Sequence, residues 1–179
     1  SGYLWLALIL VAIAALVLGM GLPATASYIV LSVMTGPALQ ELGLALITAH
    51  MIIFWLAQTS NVTPPIALAA FAGAGVAGAP PMKTAVEAFK LSNGLFVIPL
   101  LMAYTPLLFV DELEWFDVAG AAAGGFVMII MLAVFLERFA FCRLNRFELV
   151  SVPVCIMLII FPASYTKLLG AALAFGLML

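Results

Sequence analysis

The sequence predicts an all-α polytopic membrane protein, in which a re-entrant hairpin and a discontinuous helix are followed by additional transmembrane helices. Composition is the first ground: of 179 residues, 67% are hydrophobic and 8% charged, with a mean hydropathy of +1.33. Such a chain is solvated mainly by lipid. The second is the run Ser60-Asn61-Val62-Thr63-Pro64-Pro65, which interrupts a stretch otherwise apolar enough to cross a bilayer. A tandem proline removes two amide donors and forces an unwound turn, which hydrocarbon tolerates only where protein or a polar cavity satisfies the freed carbonyls. The third is a second Gly/Pro break, Gly19-Met20-Gly21-Leu22-Pro23.

The elements follow in order. Tyr3 to Met20 is continuously apolar and as long as the shortest spanning helix, about 17 residues. Ala24 to Thr35 follows the break and, at about 18 Å when helical, is too short to span. Together they read as a re-entrant hairpin over 3–36, closed at a water-facing edge by Gly36-Pro37 and the polar pair Gln40-Glu41. Leu44 to Thr59 runs inward, the Asn61 to Pro65 break follows, and Ile66 to Ala79 completes the crossing, making 44–79 one broken helix. Its small residues Gly73, Ala74, Gly75, Ala77 and Gly78 would let another helix approach closely. After Pro80-Pro81, Lys83, Glu87 and Lys90 mark a short amphipathic connector, and a span over 94–110 carries a kink at Pro99. An acidic loop, Asp111 to Asp117, leads to a span from Val118 to Leu136 with a small-xxx-small pattern at Gly120 and Gly124. A basic loop with Arg138, Arg143 and Arg146 precedes a last apolar segment, Leu149 to Ala163.

Lys83 and Lys90 lie in one connector and the three arginines in another, separated by two spans, so both connectors fall on the cytoplasmic side. The acidic loop and the Gly36 to Gly43 edge then face outward, and the hairpin enters from outside. Arg138, Arg143 and Arg146 set topology, and Trp115 fits an outer aromatic belt while Trp55 reads as packing. The net charge of -2 arises from 14 charged side chains confined to short loops, which excludes nucleic acid as a partner and leaves membrane lipid as the surroundings. Cys142 and Cys155 have no metal-ligand spacing and read as packing residues, so no transition-metal site is expected. Neither Gly-x-Ser-x-Gly nor His-Glu-x-x-His occurs, and no carboxylate pair lies at membrane depth, so the chain does not read as an enzyme and calls for no cofactor. The opening Ser1-Gly2-Tyr3, without an initiator Met, predicts a piece of a longer protein.

Two breaks at membrane depth are the device by which secondary transporters build midplane sites. Carbonyls freed at a helix C-terminal end suit a desolvated Na+, and amides at a half-helix N-terminus suit an anionic substrate. The helices ending near Met20 and Ser60 would present carbonyls, and the half-helices starting near Ala24 and Ile66 would present amides. Thr25, Ser27, Ser60, Asn61 and Thr63 add side-chain oxygens, which hard alkali cations prefer over nitrogen or sulfur. The plain alternatives stand beside this reading: a tight turn at Gly19, Gly21 and Pro23, a structural kink at Pro64-Pro65, and local hydrogen bonds from Thr25, Ser27 and Thr63. Asn61 is the stronger ligand candidate, because an amide at an unwound point in lipid is costly unless paired. Gln58 is its plausible polar neighbour, whereas His50, the one histidine, sits near the outward edge and reads as an interfacial hydrogen-bonding residue.

Gly19-Met20-Gly21-Leu22-Pro23-Ala24-Thr25-Ala26, then Asn61-Val62-Thr63-Pro64-Pro65, then Met82-Lys83-Thr84-Ala85, resembles the second half of the large membrane subunit of tripartite ATP-independent periplasmic (TRAP) transporters. The wording is closest to the fused permeases that work with TAXI-type binding proteins. The resemblance covers about Leu4 to Leu108, and beyond Asp111 it rests on hydrophobic pattern. It implies an elevator-type transporter in the bacterial or archaeal cytoplasmic membrane, coupled to Na+ and importing small organic anions, often carboxylates. Two inverted repeats, a soluble extracytoplasmic solute-binding protein and a small membrane subunit or its fused equivalent complete such a machine. On this reading 1–110 is the second-repeat transport segment and 111–179 holds C-terminal transmembrane helices, and the remaining half of the permease is a partner. The implied Na+ ligands are Gly19, Gly21, Asn61 and Thr63, the implied substrate contacts are Thr25, Ser27 and Ser60, and Pro23, Pro64 and Pro65 hold the breaks open. The alternative is a non-transporting helical module that packs against other subunits.

Overall fold

The computed structural model describes residues 3–105, 115–139 and 152, and among them the extended regular elements are all helices. Asp111, Glu112, Glu114, Arg143, Arg146, both cysteines, the end of the expected span 94–110 and, apart from Val152, the expected segment from Leu149 to Ala163 lie outside the described residues. The chain divides into two compact units, Ser1–Ala103 and Tyr104–Leu179.

In the first unit, α1 (Leu4–Gly19) buries Leu4, Leu8, Val11, Ala15 and Gly19, one residue per turn along a single face. The turn at Met20 to Pro23 reverses the chain, with the Met20 amide bonded to the Val17 carbonyl at 3.2 Å and the Leu22 amide to the Leu18 carbonyl at 3.0 Å. Pro23, at φ -56 and ψ 152, then caps α2 (Ala24–Glu41), which packs against α1.

The second hairpin arm is longer than the sequence suggests. The sequence ends it at Thr35, before Gly36-Pro37, but α2 continues through Pro37 to Glu41. Pro37 removes one hydrogen bond, to the Val33 carbonyl, from an 18-residue helix. The stop lies at Leu42-Gly43 instead. Gly43 adopts φ 96, its amide bonds the Gln40 carbonyl at 2.9 Å, and the Leu44 amide bonds the Leu39 carbonyl at 3.2 Å. This paired closure is a Schellman motif, and its left-handed residue is nearly always glycine. At about 27 Å, α2 approaches the hydrocarbon thickness of about 30 Å, so its length alone does not make the hairpin re-entrant.

The broken helix consists of α3 (Leu46–Gln58), a 3-10 turn (Thr59–Asn61), an irregular turn and α4 (Leu68–Ala77). The second half starts at Leu68 rather than Ile66, because Ala67 takes a left-handed conformation, φ 37, and its carbonyl receives the Phe71 amide at 2.9 Å. Gly78, at φ 63, ends α4. Next comes α5 (Pro81–Leu91), whose first residue is a proline, the position where a missing amide costs nothing. Ala85 packs on Ala67 and Ala70, with Phe71 and Ala88 at the rim. Met82, Val86 and Phe89 are exposed along another face, and Lys90 pairs with Glu87 at 3.0 Å.

α5 and α6 (Gly94–Tyr104) are separated only by Ser92 and Asn93. Ser92 donates its hydroxyl to the Ala88 carbonyl at 2.7 Å, Asn93 donates its amide to the Lys90 carbonyl at 3.3 Å, and Phe89 meets Phe96 edge-on at 5.4 Å across the turn. The 24 residues 81–104 together have the length and apolarity of a membrane span.

In the second unit, α7 (Trp115–Glu137) begins earlier than expected, with Trp115 to Asp117 inside its first turn rather than in a loop. Residues 118–137 form the second stretch able to cross a membrane. Val118, Ala121, Met128 and Met131 are buried at helical spacing, and Val152 packs on Met131. Gly120 is exposed and Gly124 half-buried.

Candidate functional site

In an α-helix the carbonyl of residue i accepts the amide of residue i+4. At the two breaks, three carbonyls sit four residues before a proline and therefore lack that donor: Gly19 before Pro23, Ser60 before Pro64, and Asn61 before Pro65. At the broken helix the neighbouring donors converge one residue earlier. The Thr59 carbonyl accepts the Val62 amide at 3.2 Å, the Thr63 amide at 3.0 Å and the Thr63 hydroxyl at 2.6 Å. The Thr63 carbonyl then accepts the Ala67 amide at 3.1 Å, closing the turn that contains the cis Pro64-Pro65 bond.

The two breaks touch. A Cβ placed on Gly19 would collide with the Ser60 Cβ and Oγ, so the hairpin backbone lies directly on the Ser60 side chain. Ser60 is buried and donates its hydroxyl to the Ala57 carbonyl at 3.2 Å. Beside this joint Leu16, Met20, Ser60, Thr63, Pro64, Pro65 and Ile66 line a cleft of about 40 Å³. Such a space needs about 10–15 Å³ to hold one water. The cleft therefore has room for a bare cation or a few waters.

The remaining anticipated residues are distributed as follows. Asn61 is half-buried and donates its side-chain amide to Gln58 Oε1 at 3.2 Å, which turns Asn61 Oδ1 into the free acceptor of that pair. Gly21, Pro23 and Thr25 are exposed; of the anticipated residues Ser60, Thr63, Pro64 and Pro65 line the cleft, and Gly19 and Asn61 adjoin lining residues in the chain. Ser27 is fully buried at 0% exposure; its amide bonds the Pro23 carbonyl at 2.9 Å and its hydroxyl has no partner. Pro64 is half-buried and Pro65 exposed. His50 bonds the Tyr28 hydroxyl through Nδ1 at 3.0 Å. Leu16, Met20 and Ile66 went unnoticed in the sequence because apolar lining residues look the same as lipid-facing ones. Thr59 was also missed, although its place one helical turn before Thr63 would have marked its carbonyl as the acceptor.

Charge narrows the chemistry further. Glu41 is the only Asp, Glu, Lys or Arg between Ser1 and Met82, so the oxygens that the two breaks themselves offer are neutral.

Two apposed helix breaks within an apolar helical bundle define a membrane protein of the transporter class. Residues 1–108 match the family model described as the tripartite ATP-independent periplasmic transporter, DctM component. The match spans more than half of the chain, and the chain belongs to this family of transporter permease components. Comparisons with curated proteins and with solved structures gave no match.

Proposed function

We propose that this chain forms part of a Na+-coupled permease that imports small organic anions, with the cation held at the joint between hairpin and broken helix. One observation carries the reading: Gly19 rests on Ser60 beside an ion-sized cleft, amid carbonyls deprived of donors by Pro23, Pro64 and Pro65. Neutral oxygens suit a monovalent cation, whereas a divalent ion is ordinarily held by carboxylates. Gly19, Asn61 and Thr63 supply oxygens to Na+, with Gly21 at the hairpin tip. Thr63 keeps hydroxyl lone pairs for the ion while its proton is donated to Thr59.

The organic anion does not fit the cleft and belongs at the start of α2. There the first-turn amides have no helical acceptor, and Thr25 and the unpartnered hydroxyl of Ser27 lie in the same turn. Ser60, at the joint, links this site to the cation. Because Ser27 is buried, the anion reaches it only when the hairpin moves, as an elevator-type cycle requires. An extracytoplasmic solute-binding protein delivers the anion, and the other half of the permease with a small membrane subunit or its fused equivalent completes the site in the cytoplasmic membrane.

Reconstitution of the complete permease with its binding protein tests the proposal. Uptake should require an inward Na+ gradient, and Asn61→Ala or Thr63→Val should raise the half-saturating Na+ concentration about tenfold, the loss of one ligand to a charged group. Uptake indifferent to Na+ would refute the coupling.

A further inference from the structure

Between Tyr3 and Ala79, every side-chain hydrogen bond of the described residues joins partners at most four positions apart, with one exception. That exception is the Tyr28 hydroxyl on α2 and His50 Nδ1 on α3, 3.0 Å apart and 22 positions distant in sequence. The pair is framed by aromatic edges: the Tyr28 ring meets that of His50 at 6.1 Å and that of Phe54 at 5.9 Å. Gly36 lies about two turns further along α2, where an added Cβ would meet His50 Nε2 at 3.9 Å.

In lipid, an apolar helix face gains little by exchanging one apolar neighbour for another, so packing alone defines the sliding position of two helices weakly. A part-buried hydrogen bond between the helices defines it better, because displacement takes the partner from two polar groups. Both helices that share this bond lead directly to the joint. α2 begins four residues before Tyr28, immediately after the turn whose start, Gly19, rests on Ser60. α3 carries His50 and runs on into the 3-10 turn that holds Ser60 and Asn61. A one-turn slip of α2 on α3 moves the tip by about 5.4 Å, more than the joint tolerates.

We infer that Tyr28 and His50 are positioning residues: their hydrogen bond fixes the hairpin's second arm on the broken helix and thereby seats Gly19 on Ser60 to close the cation cleft. The inference rests on the reading of that cleft as the cation site. Neither side chain touches the ion.

The test uses the complete permease, free of Cys142 and Cys155, with Met20→Cys and Ile66→Cys as a reporter pair across the cleft. Tyr28→Phe and His50→Leu should each slow cross-linking of this pair and raise the half-saturating Na+ concentration about threefold, the typical effect of one interhelical hydrogen bond in a membrane protein. The double variant should be no worse than either single one, and His50→Gln, which retains an acceptor, should recover most of the loss. Unchanged cross-linking in Tyr28→Phe and His50→Leu, even with lowered thermal stability, would overturn the positioning role. Cross-linking needs no ion, so slowed cross-linking in a permease that never responds to Na+ would support the positioning role and reject the cation reading separately.

Discussion

Gly19 and Ser60 show how single residues make the joint. Any side chain at Gly19 occupies the space of the Ser60 Cβ and Oγ, and the Cβ, unlike the hydroxyl, cannot turn away without moving the backbone. Gly19→Ala should therefore destabilise the permease by about 1–3 kcal/mol, the usual cost of overpacking, measured as a lower melting temperature in detergent. Ser60→Gly added to Gly19→Ala empties that space and should recover part of the loss; no recovery would mean that the two residues are not in contact. Neighbouring Thr59 and Thr63 act in the opposite sense, drawing three donors onto one carbonyl and leaving those of Ser60 and Asn61 bare. Proline chemistry makes this visible in the sequence, because a missing N–H four residues downstream is a local fact. The contact of Gly19 with Ser60 is not visible there, since it depends on how α1 packs beside the broken helix.

Among the elements, α2 marks where reading and structure part. Gly36-Pro37 looks like a helix end, yet a single lost hydrogen bond is a small fraction of an 18-residue helix packed on α1 and α3. The true end is set by Gly43 at φ 96, a conformation that costs other residues about 1 kcal/mol or more. Gly43→Ala should destabilise the permease by that amount, whereas Gly21→Ala, in open space and without a positive φ, should leave the melting temperature nearly unchanged. The start of α4 shows the same limit: Ala67 takes φ 37, which no composition rule anticipates for alanine. Its burial against Ala70 and Ala85 accounts for the small side chain. Ala85→Leu should force α5 away from α4 and cost about 1–3 kcal/mol, checked by thermal unfolding.

For the whole molecule, which belongs to a family of transporter permease components, the proposal is that a cation holds the hairpin against the broken helix. Composition made the membrane class legible, and the two Gly/Pro breaks made the transporter construction legible. The cleft itself was hidden, because Leu16, Met20 and Ile66 carry no polar signal. Cation binding at the joint, rather than packing alone, is tested most directly by Na+ titration of the cross-linking rate between Met20→Cys and Ile66→Cys in the complete permease. Na+ should change that rate saturably, with the half-point moved to higher Na+ by Asn61→Ala. A rate that is the same with Na+ and with choline would contradict it.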